Sequence, residues 1–264
     1  MTHDEQRIYL IRELLNEDPQ LADIEIPGDT IGQCTLLRSL MNIRPPRPAG
    51  REFLDIQDEY LKTERDMAGI VDSASLPAAG EDSRMILWKG DITTLKADAI
   101  VNAANSALLG CFHPMHSCID NIIHSRSGIQ LRLSCDSIMK KQGYEEPAGR
   151  AKITPAYNLP CKYVIHTVGP VIYGDVTKRD SALLASCYRS CLELAEEKGC
   201  KSIAFCCIST GEFHFPNQKA AGIAVAAVRE FLETDTTIEK VIFNVFKEQD
   251  LEIYKNLLIR PALS

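Results

Sequence analysis

The sequence predicts a layered α/β domain, a buried sheet with helices on both faces, preceded by a helical segment. Two observations carry that reading. From residue 84 onward, short apolar runs rich in β-branched and aromatic residues alternate with helical stripes, the order expected of strands separated by helices. Before residue 72, apolar residues recur at three- and four-residue intervals, the repeat of one helix face.

The helical part is read over residues 5–71. Ile8, Ile11, Leu14 and Leu15 form a first stripe, and Leu36, Leu37, Leu40 and Met41 a second. Pro45, Pro46 and Pro48 end the second, because proline has no N–H to donate and clashes with the preceding turn. Phe53, Ile56, Tyr60 and Leu61 start a third. Residues 72–83 are small and polar, with Pro77 and Gly80, and read as a linker. The expected division is a helical extension over 1–80 and the α/β domain over 81–264. Five apolar runs, at 84–88, 97–102, 162–167, 202–208 and 240–246, read as buried strands. Leu184, Cys187, Tyr188, Cys191 and Leu192 mark one intervening helix, and Ala221, Ala224, Val225, Val228 and Leu232 another. In such folds ligands bind beyond the carboxyl ends of the strands.

Composition narrows the function. A net charge of -7 weighs against general binding to nucleic acid or anionic membranes. It leaves anionic small molecules open, since backbone amides and helix N-termini hold phosphates without lysine or arginine. No apolar run approaches the ~20 residues of a membrane span. The ten cysteines lie partly within apolar strand and helix patterns, and the start, from Met1 to Glu5, lacks the basic and apolar regions of a secretory signal. Free thiols in a reducing cytoplasm are therefore expected.

The strand-end loops carry the chemistry. Gly90, Asp91, Ile92 and Thr93 follow the first strand; Asn102, Ala103, Ala104 and Asn105 follow the second. Ser209, Thr210, Gly211, Glu212 and Phe213 follow the fourth, and combine hydroxyls, a glycine and an aromatic suited to cradling a diphosphate. After Asn105 comes Cys111, then His113, His116 and Cys118, a C-x4-H-x-C cluster of soft ligands. Two thiolates and an imidazole suit Zn²⁺, and three protein ligands leave one tetrahedral position open. Spacing alone leaves open whether His113 or His116 supplies the imidazole, and whether the thiols bind metal at all. Asp120 reads both as an acid that orients water and as an acid in the first turn of the next helix. Ile119, Ile122 and Ile123 are expected to face the core, with Asp120 and Asn121 on another face. His166 reads as a core histidine and His124 as a packing or supporting one. Cys206 and Cys207 are expected on a strand, pointing to opposite faces.

Taken together and in this order, these motifs resemble the macrodomain family of ADP-ribose-binding modules over roughly 84–264. The matching text also includes 164–170 and 203–211. The resemblance implies a three-layer α/β/α fold with a mixed central sheet. It implies that Asp91 holds the adenine amino group with Ile92 beside it. Asn105 is matched to the distal ribose, and Ser209, Thr210, Gly211, Glu212 and Phe213 to the diphosphate and that ribose. Phe246, after the last strand, is the matched adenine-stacking aromatic.

The loop after Asn105 departs from the glycine run of ordinary macrodomains and resembles the zinc-dependent branch found beside sirtuin-type ADP-ribosyltransferases. That resemblance implies Zn²⁺ on Cys111, His116 and Cys118, and extends to the helical segment before residue 80. Asp120 and Asn105 are the implied catalytic pair, and Asp120 lies in a stretch similar to the catalytic segment of related hydrolases. The implied function is zinc-dependent hydrolysis of mono-ADP-ribose from modified proteins, at Asp or Glu linkages. The implied partners are ADP-ribose, the modified protein and a sirtuin-type transferase. The alternatives are a non-catalytic ADP-ribose reader with a structural zinc and a deacetylase of O-acetyl-ADP-ribose. Ser125, Arg126 and Ser127 stand where related hydrolases carry small alanines, so Arg126 is expected to protrude or meet a carboxylate.

Overall fold

The computed structural model describes residues 1–234 and 236–259. Three helices open the chain: α1 (His3–Asn16), α2 (Thr30–Ile43) and α3 (Arg51–Ala68). They begin where the chain supplies caps. Thr2 and Glu5 form a capping box on α1, and the Asp29 carboxylate accepts from Gly32 N on α2. Their stripes meet in one apolar cluster of Leu10, Ile11, Leu14, Leu37, Leu40, Phe53 and Tyr60. Ile129, from beyond the extension, belongs to the same cluster. The segment expected as a linker is not structureless. At its start β1 (Val71–Asp72) pairs in parallel with β3 (Leu95–Lys96), and a 3₁₀ turn over Ser73–Ser75 follows.

The α/β part contributes β2 (Met85–Lys89), β4 (Ala99–Ala103), α4 (Ile119–Ser127), α5 (Ile129–Gln142), β5 (Ala151–Pro155) and β6 (Tyr163–Thr167). It continues with α6 (Lys178–Glu197), β7 (Ser202–Phe205), α7 (Asn217–Leu232), β8 (Lys240–Val245) and α8 (Glu248–Ile259). Six strands form one sheet in the order β2-β8-β7-β4-β6-β5. Every pair is parallel except β5 with β6, so the sheet is mixed. Ile100, Val101, Val164, Ile165, Ile203, Ala204, Val241 and Ile242 are fully buried. Neighbouring residues of one strand point to opposite faces, so both faces must be covered, and this is the three-layer arrangement. Strand β5 is absent from the expected set because Lys152 and Thr154 break the apolar run that marks buried strands; it lies at the sheet edge.

Two further expectations are corrected. Strand β7 stops at Phe205, so Cys206 and Cys207 lie beyond it in the turn toward the Ser209 loop. On α4, Ile123 lies in the core and Ile119 packs against it, as expected, but the face that carries Asp120 and Asn121 is no less covered. Both are buried, while Ile119 and Ile122 are only half-buried. Asp120 is buried toward β4, where Asn102 Nδ2 donates to it, and Asn121 toward the extension, where Arg38 of α2 donates to it; α2 and α3 both contact α4.

The order of strands fixes the site. From β4 the chain moves toward β6 and β5, whereas from the adjacent β7 it moves toward β8. Their connections diverge, and a crevice opens beyond their carboxyl ends. The Asn105 loop leaves β4 and the Ser209 loop leaves β7 at that point.

Candidate active and metal site

One wall of the crevice is the loop between β4 and α4. It is anchored from below by Leu108, fully buried with Ala104, Cys135 and Val168. Leu108 and Gly110 both take positive φ, at 57° and 79°. The reversal brings the soft ligands together: the candidate ligand atoms of Cys111, His116 and Cys118 all lie within 4.8 Å of one another. Cys111 Sγ is 3.6 Å from His116 Nδ1. Cys118 is the N-cap of α4, its sulfur accepting from Asn121 N. His113 is outside the group; its ring stands 5.8 Å from that of His116, centroid to centroid. Burial pushes the Cys118 thiol up to about 12, with the Cys111 and Asp120 charges adding to it. A thiol so placed becomes a thiolate when a cation supplies the missing charge. Two thiols and an imidazole, with no fourth His, Cys, Asp or Glu in the group among the described residues, fit a zinc ion with one position open to a ligand.

Asp120 lies in the first turn of α4, directly behind this loop, 5% exposed. Asn102 Nδ2 donates to its Oδ1 at 2.7 Å, and Asn105 Nδ2 approaches its Oδ2 at 3.4 Å. Asn105 also donates to Gly110 O and accepts from Ala107 N. It therefore ties the carboxylate to the ligand loop. Burial pushes the Asp120 carboxyl up to about 6, against the Asn102 hydrogen bond and the Arg132 charge, which lower it. Asn102, unassigned in the sequence reading, is the residue that fixes the carboxylate. Its place in the Asn102–Asn105 motif was the available signal.

The opposite wall is the Ser209 loop. Ser209 and His214 take positive φ, at 65° and 58°, and Phe215 N donates to Ser209 O. Ser209 is buried, and its hydroxyl has no partner among the described residues. Thr210 Oγ1 donates to Cys207 O, and Phe213 O accepts from Ile172 N. Gly211 and Glu212 are exposed. Glu212 Oε1 comes within 3.7 Å of His116 Nε2, so the two walls meet across the crevice. His116 thus has Cys111 Sγ beside Nδ1 and the Glu212 carboxylate on the side of Nε2.

At the β2 end, Asp91 caps a short 3₁₀ turn, Ile92–Thr94, its Oδ1 accepting from Thr93 N and Oγ1. Ile92 is 1% exposed. Asn244 Nδ2 donates to Gly90 O at 2.9 Å and so holds this turn to β8. Phe246, just past β8, is 76% exposed, so it has no core role. Asp91, Asn105, Ser209 and Phe246 thus stand at the carboxyl ends of the parallel strands β2, β4, β7 and β8.

His124, Cys135 and His166 form a second close group beneath Asp120. Both nitrogens of His166 already have protein partners, Asn102 Nδ2 at 3.2 Å and Thr154 Oγ1 at 2.9 Å. Burial lowers the pKa of His166 to about 4. It is a neutral, hydrogen-bonded core histidine. Arg126 meets a carboxylate of the extension, 3.7 Å from Glu64 Oε2. All ten cysteines are free. Among the described residues no helix is long and apolar enough to cross a membrane.

The Macro domain family matches residues 101–224. A protein-ADP-ribose hydrolase of Treponema medium is 56% identical, over 98% of this chain and all of its own length. One from Staphylococcus aureus (strain MRSA252) is 46% identical, over 96% of this chain and 95% of its own. Among solved structures, a Trypanosoma brucei macrodomain in complex with ADP-ribose superposes with a TM-score of 0.64 at 31% identity, over 83% of this chain and 94% of that one.

Proposed function

The chain belongs to the macrodomain family, and from that premise we propose that it is a protein-ADP-ribose hydrolase whose activity requires zinc and whose substrate is an Asp- or Glu-linked mono-ADP-ribosyl protein. The observation that carries the proposal is the convergence of Cys111, His116 and Cys118 on one point beside Asp120 and Asn105. A module that only reads ADP-ribose needs the Asp91 turn and the Ser209 loop but has no use for that group. The names of the Treponema and Staphylococcus relatives support the same activity.

In this reading Asp91 takes the adenine amino group beside Ile92, and Phe246 stacks on the base. Backbone amides of Gly211, Glu212 and Phe213 and the Ser209 hydroxyl, which has no partner among the described residues, face the diphosphate, with Thr210 shaping the turn through its bonds to Cys207 O. Cys111, His116 and Cys118 hold zinc. When bound, zinc supplies a Lewis-acid position for an oxygen, softened by two thiolate ligands. Asn105 orients the distal ribose, and the Asp120 carboxylate, held by Asn102 at Oδ1, directs water to the anomeric carbon and takes its proton at Oδ2. The bond from that carbon to the protein carboxylate breaks, releasing ADP-ribose and the restored side chain. Orientation of the reacting groups supplies much of the acceleration. A sirtuin-type transferase that attaches the group belongs to the same proposal.

The experiment is incubation of the zinc-loaded protein with glutamate-, serine- and arginine-linked mono-ADP-ribosylated substrates, following release. Release from the glutamate-linked substrate alone is expected. Cys118→Ala is expected to lose zinc and turnover together. Full turnover in a zinc-free preparation removes the metal from the mechanism.

A further inference from the structure

We propose that helix α2 of the extension is a built part of the metal site, with Arg38 and Asn42 as positioning residues that hold the ligand loop in its coordinating shape. The inference rests on the zinc reading of Cys111, His116 and Cys118. Residues 38 and 42 are one turn apart, so they share a face of α2. Arg38 Nη2 donates to His116 O and to Asn121 Oδ1, both at 2.8 Å. Asn121 passes the hold onward: its Nδ2 donates to His113 O at 2.9 Å and Cys111 O at 3.3 Å. Asn42 Oδ1 accepts from Met115 N at 3.1 Å, and its Nδ2 donates to Ser125 Oγ at 2.8 Å. The carbonyl of His116 is thus held directly from α2, that of Cys111 through Asn121, and the amide before His116 by Asn42.

Three features show that this is more than packing. Residues 104–118 contain no helix or strand, so the loop has no ladder of its own to fix three ligand atoms within 4.8 Å. Met115 has φ 57°, a strained conformation for a non-glycine residue that persists only where neighbours impose it; the bond from its N–H to Asn42 is such an imposition. Arg38 is half-buried, yet its acceptors are a carbonyl and an amide oxygen. A guanidinium that gives up water without gaining a carboxylate is kept for the direction of its donors.

The test uses the full chain and zinc alone. Zinc affinity of the wild type, Arg38→Ala, Asn42→Ala and Gln57→Ala is measured by competition with a chromogenic chelator, alongside melting temperature and ADP-ribose affinity. Gln57 ties the same extension to Ile129 N and Gln130, away from the loop, so it reports what loosening the extension does by itself. Arg38→Ala and Asn42→Ala are expected to weaken zinc about 10- to 100-fold while ADP-ribose affinity stays within about threefold. Gln57→Ala is expected to lower the melting temperature at wild-type zinc affinity. Should Arg38→Ala not fold, Asn42→Ala decides alone. Unchanged zinc affinity in the folded loop variants, or an equal loss in Gln57→Ala, overturns the proposal and leaves the metal reading standing. A wild-type chain that takes up no zinc overturns both.

Discussion

Ser209 and Gly169 form a pair in which one residue's strain depends on the other's lack of a side chain. Ser209 sits at positive φ with its hydroxyl buried and without a partner among the described residues. A Cβ on Gly169 would lie 1.9 Å from that hydroxyl oxygen and 2.9 Å from Ile208 Cγ2. Gly169→Ala therefore drives the serine out of position and moves the loop that faces the diphosphate. ADP-ribose affinity is expected to fall about tenfold or more, with at most about 1–3 kcal/mol lost from the fold; calorimetry and a melting curve check both. Unchanged affinity would show that the loop shape does not matter to binding. Phe246 makes the opposite split. Its exposed ring contributes nothing to the core, so Phe246→Ala is expected to leave stability within about 0.5 kcal/mol and to weaken ADP-ribose by about 1–3 kcal/mol of lost stacking. A destabilised variant with intact affinity would contradict that role. At this scale the sequence was informative where chemistry is local. Soft ligands at C-x4-H-x-C spacing are visible in the chain itself. The positive φ of Leu108, Met115, Ser209 and His214 was not, because none of them is a glycine and only the packed loops impose it.

Helix α4 and strand β6 meet through a buried polar network, and its protonation links that junction to pH. His166, on β6, is neutral, with Asn102 and Thr154 on its two nitrogens. Burial holds its pKa at about 4, against 6.5 when free. Below pH 6.5 the unfolded chain takes up a proton that the folded chain refuses until about pH 4. Stability from this group is thus complete above 6.5 and is lost as pH falls through that window, by about 3 kcal/mol. His124, also pushed down by burial, acts in the same direction. Asp120, pushed up to about 6, acts in the other, because its folded carboxyl gains a proton before the unfolded one does. The wild-type profile is the sum, so the difference between wild type and His166→Asn isolates the histidine. The variant is expected to lose less stability between pH 7.5 and 4.5 in urea unfolding; parallel profiles would mean that His166 is not held neutral. Strands β4, β6, β7 and β8 were legible because their runs are continuously apolar. Strand β5 and the two-residue β1 and β3 were not, since their residues carry neither a run nor an alternation long enough to read.

Across the whole molecule, two apolar cores are joined rather than set side by side. The extension's core includes Ile129 from α5, and α4 contacts α2 and α3 as well as β4. Polar ties cross the same seam. Gln57 is fully buried; its Oε1 accepts from Ile129 N at 3.0 Å and its Nε2 donates to Gln130 Oε1 at 2.7 Å. Asn158 Nδ2 donates to Asp58 Oδ1 at 2.8 Å, and Arg132 Nη1 donates to the carbonyls of Met41 and Arg44. The sequence could divide the chain into 1–80 and 81–264 by its change of period, but could not show this seam, because Gln57, Arg38 and Asn42 read as ordinary polar positions of amphipathic helices. If the extension were an independent module, heating would melt it separately. Shared burial and shared backbone partners predict instead one cooperative transition for both parts. Gln57→Ala leaves the Ile129 amide buried and unpaired, which costs about 1–3 kcal/mol, and that loss should lower the single transition as a whole. Scanning calorimetry of wild type and variant decides it. A variant trace that splits into an early transition for the helices and an unshifted later one for the sheet would show that the two cores stand alone.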